Sequence, residues 1–251
     1  MKSFDIEQLA ARQLSDYRSG NPGTCFLEPG FTIDPVTAYK VQDAVTGLRV
    51  NDGARVIGYK VGCTGPGTRA QFGMDGPIRG TLFEDEARKD GAILNPDEFC
   101  QLAIEGEMAV RIGEDQQIEA MFPVIELHNF IFRAEEKTLS ELIANNGINA
   151  GIVLADMDRT PSPNMGKGAS LSLSIGGSII GKAGLWPNDD GPEASVDWLK
   201  NNLSDYGLAL RAGDIVLAGT ALGLYPVNDG DEVTVYIDDE PTVRCRVARS
   251  K

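Results

Sequence analysis

The sequence predicts an α+β chain that is mainly β, with its helices at the periphery. Residues 101–112 place Leu102, Ile104, Met108, Val110 and Ile112 at every second position, the period of a strand with one apolar face. Residues 169–183 alternate clearly and turn at Gly176-Gly177, and residues 231–247 form a second hairpin pattern at the C-terminal end. Helical spacing is confined to four short stretches between such strands. At 251 residues, 42% of them hydrophobic, the chain is long enough to bury one full core.

In chain order, residues 3–20 read as the first helix, with Ile6, Leu9, Ala10, Gln13, Leu14 and Tyr17 at helical spacing and Ser3 as its cap. Asn21, Pro22 and Gly23 end it. A second helix runs from Pro35 to about Asn51, capped by Thr32 or Asp34, with Tyr39, Val41, Val45 and Leu48 inward. Residues 55–62 are a short β-branched run that reads as a buried strand. Lys60 is out of place within it, because an uncompensated buried ammonium is costly. Either this is an edge strand with Lys60 reaching solvent, or the lysine is aimed at an anionic pocket where it pairs with carboxylate and moves protons.

Residues 63–68 and 72–80 are loops, the second leading into Thr81, Leu82 and Phe83, and residues 85–95 are a polar connection. Residues 114–117 form a turn before a second apolar strand at 121–132. A short helix at 138–147 with a glycine stop precedes a strand at 148–154. Gly176 to Lys182 has the spacing of a phosphate-binding loop, but Ala183 stands where Ser or Thr must hold Mg²⁺, and the alternating pattern denies the required helix. Residues 192–206 form the last helix, and residues 210–220 turn into a strand. Residues 1–90 are expected to form a helical or mixed region packed on a metal-binding, β-rich core of residues 91–251, the two making one structural unit.

The strand at 101–112 carries Glu105 and Glu107 on the face opposite its apolar row. At about 3.3 Å per residue they sit roughly 6.6 Å apart, and carboxylates that close repel unless solvent or a cation lies between them. Glu126 sits among hydrophobic neighbours about twenty residues later. Three converging carboxylates make a hard, oxygen-only site of the kind Mg²⁺ or Mn²⁺ prefers. Glu-x-Glu on a strand is equally the pattern of a solvated face, so the flanking residues decide between the two.

The formal net charge of −14 excludes a nucleic-acid partner and an anionic membrane surface, both of which need basic patches. No run approaches the apolar length of a membrane span, and the N-terminus lacks the apolar core of a signal peptide. Cys25, Cys63, Cys100 and Cys245 are scattered without a C-x-x-C pair, which suits reduced thiols in a cytoplasmic protein. His128 is the single histidine, so the chemistry must rest mainly on carboxylates, lysines and a metal.

One set of motifs runs nearly end to end: residues 37–42, Val56 to Gly62 around Lys60, Gly73 to Pro77, Gly80-Thr81-Leu82, Ile104 to Val110 around Glu105 and Glu107, Val124 to Leu127 around Glu126, Ala144-Asn145-Asn146, Ala194 to Leu199, and Leu210 to Thr220. In order and spacing it resembles the fumarylacetoacetate hydrolase superfamily, in its 2-keto-4-pentenoate hydratase and 4-oxalocrotonate decarboxylase branch. The resemblance implies a rolled β-sheet fold around one Mg²⁺ or Mn²⁺ ion held by Glu105, Glu107 and Glu126, with Lys60 as the catalytic lysine. It implies that Leu82, through its backbone, and Gly219 and Thr220 hold the substrate, and that Asn146 and Asn149 border the pocket.

It also implies a small anionic 2-oxoacid substrate whose carboxylate and C2 oxygen chelate the ion, a lyase reaction (hydration or decarboxylation) within aromatic catabolism, and a homo-oligomer that can associate with a partner pathway enzyme. An acylpyruvate-type C–C hydrolase, an oxaloacetate-type tautomerase and a non-catalytic partner subunit remain the alternatives. The chain departs from the branch after Pro77, where Ile78 and Arg79 replace an acidic residue, and Arg79 is a candidate for binding a second substrate carboxylate. His128, two residues past Glu126, is the other departure: a partly buried structural histidine or a pocket-lining acid–base group.

Overall fold

The computed structural model describes residues 5–65, 69–70, 72–74, 76–156, 168–187 and 190–249; Ser3, Asp75 and part of the 63–68 loop lie outside them. Among the described residues, helices α1 (Ile6–Arg18), α2 (Pro35–Asn51), α3 (Leu139–Ala144) and α4 (Gly191–Asp205) surround two sheets. Each helix start has a local cause. Asp5 caps α1 by accepting from the Gln8 N–H at 3.1 Å, in place of the expected Ser3. Asp34 caps α2 through the Thr37 N–H at 2.7 Å, and Thr138 caps α3 through the Glu141 N–H at 3.1 Å. In α4 Pro192 occupies the first turn, and Val196, Leu199 and Leu203 face inward.

The strands are β1 (Val56–Gly62), β2 (Ile78–Phe83), β3 (Ala87–Lys89), β4 (Ala92–Leu94), β5 (Leu102–Ile112), β6 (Ile118–Asn129), β7 (Asn149–Leu154), β8 (Ser170–Ile175), β9 (Ser178–Gly184), β10 (Ile215–Leu217), β11 (Tyr225–Pro226), β12 (Glu232–Ile237) and β13 (Glu240–Val247). The first sheet runs β2-β1-β10-β5-β6-β7-β3, with β11 also paired to β5. The second runs β4-β13-β12-β8-β9. The fold is therefore mainly β with peripheral helices, as the sequence predicts. Strands from residues 56–89 are hydrogen-bonded into the same sheet as β5 and β6.

Four expectations need correcting. The strand read at 121–132 lies at Ile118–Asn129, and β2 begins at Ile78 rather than Thr81. The connection at 85–95 holds β3, parallel to β7, and β4, parallel to β13; at three residues each they are too short to show a period. And β1 is no edge strand, because β2 and β10 flank it.

Strand alternation divides the first sheet into two surfaces. Leu102, Ile104, Met108, Ile125, Leu127 and Val153 point outward and pack against Leu171, Leu173, Val233, Val235 and Val243 of the second sheet. Fully burying each such side chain contributes about 1.5–3 kcal/mol. Tyr59, Val61, Val110 and Val216 pack against α4. The inner surface is apolar at one end, where Leu82, Ala109, Phe122, Val124, Ile152 and Leu217 meet. Its other end is polar and forms the candidate site.

The sheet curls until β2 approaches the segment entering β7. Among the described residues no strand pairing joins these two. One side chain bridges them instead. The Thr81 N–H donates to Asn146 Oδ1 at 2.7 Å, and Asn146 Nδ2 donates to the Thr81 carbonyl at 2.8 Å, as a neighbouring strand would. Asn146 sits at φ 58°, a left-handed conformation that asparagine tolerates better than most residues.

Replacing Asn146 by glycine keeps that backbone accessible and removes both bonds. Urea unfolding should show a loss of about 2–3 kcal/mol; wild-type stability would mean that the amide does not hold the roll closed.

Candidate active site

The antiparallel register of β5 and β6 sets Glu105 directly opposite Glu126, with Ala103 opposite His128 and Glu107 opposite Val124. All the odd-numbered residues of β5 and the even-numbered residues of β6 in this region face the inside of the roll. Like charges directly opposite on paired strands repel, so this arrangement requires compensation. It does not form a solvated face: Glu107 and Glu126 are each 2% exposed and His128 only 1%.

Lys60 supplies part of the compensation. It enters from β1, separated from β5 by β10, and its Nζ lies 3.0 Å from Glu126 Oε1. The aliphatic stem runs through a slot that exists because two glycines lack side chains. A Cβ on Gly147, which sits at φ 61°, would lie 2.6 Å from Lys60 Cε, and one on Gly80 would press on Lys60 Cγ and the Asn146 carbonyl. Burial works against the ammonium, but Glu126 and Glu105 outweigh it and leave its pKa raised.

Each carboxylate is held differently. Asn149 Nδ2 donates to Glu126 Oε1 at 2.7 Å, so that oxygen receives both Asn149 and Lys60. Burial would raise the Glu126 pKa; Lys60, His128 and Asn149 together overcome it and hold it below the usual range. Glu107 accepts the Gly219 N–H. Burial and the neighbouring charges of Glu126 and Glu105 push its pKa well above the ordinary value, against the opposing pull of Lys60 and Gly219. Gly219 lies at φ 92° against Thr64, where a Cβ would come within 2.4 Å of the threonine hydroxyl, so only glycine presents its N–H to Glu107 in this turn.

Glu105, Glu107, Glu126, Gly219 and Thr220 line one cavity with Gly62, Cys63 and Thr64. An adjoining cavity, sharing Glu105, is lined by Lys60, His128, Phe130, Phe132 and Lys137. These aromatic neighbours were missed in the sequence, although Glu126, His128, Phe130 and Phe132 continue one alternating row. Lys137 caps that wall, its Nζ 5.1 and 5.0 Å from the centroids of Phe130 and Phe132.

Not every expected site residue gathers here. Thr220 reaches the cavity, but its hydroxyl donates to the Gly106 carbonyl at 2.8 Å and accepts from the Leu222 N–H at 3.0 Å. Asn149 acts on Glu126 rather than lining either cavity. Leu82 is buried in the apolar end of the roll and borders neither cavity. Arg79 contradicts the expectation of a second substrate-carboxylate site. It pairs with Val61 on β1 while its neighbour Gly80 pairs with Lys60, so its side chain leaves on the opposite face. There it is fully buried, bonded to Asn202 at 2.8 Å, Gln42 at 2.6 Å and Asp43 at 2.8 Å. The rings of Tyr39 and Tyr206 lie 4.8 and 5.2 Å from its guanidinium carbon. Arg79 ties β2 to α2 and α4.

No family model matches the chain. Curated relatives do. It is 28% identical over 224 residues to 2-keto-4-pentenoate hydratase 1 of Dechloromonas aromatica strain RCB, covering 82% of each chain. It is 26% identical over 237 residues to the 2-oxo-hept-4-ene-1,7-dioate hydratase of Escherichia coli, covering 87% of this chain and 88% of that one. Among solved structures, 4-oxalocrotonate decarboxylase from Pseudomonas putida G7 superposes with a TM-score of 0.86 at 20% identity, covering 98% of this chain and all of the other. The curated relatives are hydratases, and the structural match is the decarboxylase. Its rolled-sheet fold is shared along essentially the whole chain. Among the described residues no helix is long and apolar enough to cross a membrane.

Replacing Arg79 by methionine should cost about 3 kcal/mol in urea unfolding, because Asp43 loses its partner and the buried amides lose a donor. A variant of wild-type stability with weakened binding of an anionic substrate would return Arg79 to the pocket.

Proposed function

We propose that this chain is a divalent-metal-dependent lyase that hydrates or decarboxylates a small unsaturated 2-oxo or 2-hydroxy acid. The observation that carries this reading is the meeting of Glu105, Glu107 and Glu126 around one cavity inside the roll, with Glu107 and Glu126 buried and a buried lysine against Glu126. The donor set fits a cation. Two carboxylates stand opposite each other across a strand pair, a third lies two residues along, and Lys60 alone does not neutralise them. Similarity to curated hydratases supports the reaction class, and the P. putida decarboxylase, solved with magnesium and adipate, is consistent with a divalent ion.

In this reading Glu105, Glu107 and Glu126 hold the ion, Mg²⁺ or Mn²⁺ by the hardness of carboxylate oxygen. When bound it supplies Lewis-acid polarisation of the substrate's C2 oxygen and neutralises its carboxylate. The chain's own groups do the rest. Gly219 orients Glu107 through its N–H, and Asn149 orients Glu126. The Gly219-Thr220 turn borders the carboxylates, and in this reading it receives the substrate's acid group. Lys60 keeps the site from repelling an anionic substrate and is the group positioned to deliver or remove a proton at the substrate's carbon chain. Phe130 and Phe132 form an apolar wall along which that chain can lie. Assembly of identical chains, with or without a pathway partner, belongs to the same reading.

The test is turnover of 2-hydroxydienoates with Mg²⁺ or Mn²⁺, followed by loss of the dienol ultraviolet band. Solvent ¹⁸O at C4 marks hydration, and released CO₂ marks decarboxylation; no turnover of any such acid would sink the proposal. Glu107→Gln should abolish metal retention and turnover while circular dichroism stays unchanged. Lys60→Ala should keep the metal and lower kcat about 10²–10⁴-fold. Metal lost together with rate would make Lys60 a structural residue.

A further inference from the structure

The imidazole of His128 lies among these carboxylates and is left unused by the preceding chemistry. It is buried at 1% exposure, yet neither Nδ1 nor Nε2 has a hydrogen-bond partner. Buried polar atoms are rarely left so. The β6–β7 register shifts next to it, the pairing passing from Leu127 with Gly151 to His128 with Asn149. Such irregularities beside functional sites re-aim side chains. Here Nε2 points between two carboxylates, 3.2 Å from Glu105 Oε2 and 3.5 Å from Glu126 Oε2.

Those separations are informative. A charge-assisted hydrogen bond from imidazolium to carboxylate closes to about 2.7–2.9 Å. Two donors each about 2.1 Å from one ion lie about 3.0 Å apart at a right angle and about 3.4 Å apart at the tetrahedral angle. The observed distances match donors sharing a cation more closely than donors bonded to each other. The oxygens are available as well. Lys60 and Asn149 both engage Glu126 Oε1, which leaves Oε2 for the side facing His128. Glu105, Glu126 and His128 each offer an atom within 4.8 Å of the other two, whereas Glu107 lies outside that tight group.

We infer that His128 is a metal ligand, making the centre a mixed nitrogen–oxygen site. The inference rests on the metal-dependent reading above and adds a donor to it. A neutral imidazole adds affinity without adding negative charge. It also changes which ion is preferred, because imidazole suits first-row transition ions and Mg²⁺ favours oxygen alone. The site therefore selects an ion such as Mn²⁺, Fe²⁺, Co²⁺ or Zn²⁺ over Mg²⁺.

The full-length protein loaded with Mn²⁺ alone, examined by pulsed electron paramagnetic resonance, should show ¹⁴N coupling to the ion, absent in His128→Gln. Calorimetric titration with Co²⁺ and Mg²⁺ gives an independent reading. The substitution should weaken Co²⁺ at least about tenfold, the scale on which histidine-linked contacts tune metal sites, and Mg²⁺ much less. Wild-type protein that binds Mn²⁺ without ¹⁴N coupling overturns the inference and leaves the carboxylate site standing; this result does not depend on the variant folding. Wild-type protein that binds none of the three ions overturns both.

Discussion

The structure is organised around a repulsion. Glu105 and Glu126 are cross-strand partners within the longest strand pair, and Glu107 lies one repeat further along the same face. A β-sheet offers no relief for such a pair within itself, since register fixes the distance. Relief comes from outside the two strands. Lys60 arrives from β1 and Asn149 from β7, both on one oxygen of Glu126, and the Gly219 N–H from the turn after β10 holds Glu107. The rolled sheet is the device that brings these segments together, and the sequence distances between them, up to 159 residues from Lys60 to Gly219, show why local structure alone cannot do it.

A strand can bear this polar cluster because its other face makes up for it. β5 and β6 are buried on both sides, with outward residues sealed against the second sheet and against α4. The inner face is then free to be polar at one end while Leu82, Phe122 and their neighbours fill the other. Low polarity around the carboxylates strengthens every interaction they make. The same burial keeps Lys60 paired and shifts Glu107 upward.

Much of this was legible in the sequence. Alternation located β5, the 169–183 hairpin and the C-terminal hairpin, and the misplaced lysine flagged Lys60 before any fold was known. Capping signals left α2 open between Thr32 and Asp34, and Asp34 is the cap; α1 is capped by Asp5, because a cap is decided by which oxygen meets the free N–H groups. What could not be read was direction. Arg79 sits one residue from Gly80, which faces Lys60, and a one-residue step on a strand turns a side chain to the other face. β3 and β4 were invisible because three residues carry no period. The contact of His128 with both carboxylates depends on the strand register, which a single sequence does not specify.

The segment that closes the roll has a second duty. Asn146 holds the seam to Thr81, and three residues later Asn149 holds Glu126 in place. Between them Gly147 forms a wall of the Lys60 slot. The seam and the carboxylate–lysine geometry are thus one mechanical part. A change that loosens this segment would therefore release Glu126 and Lys60 together.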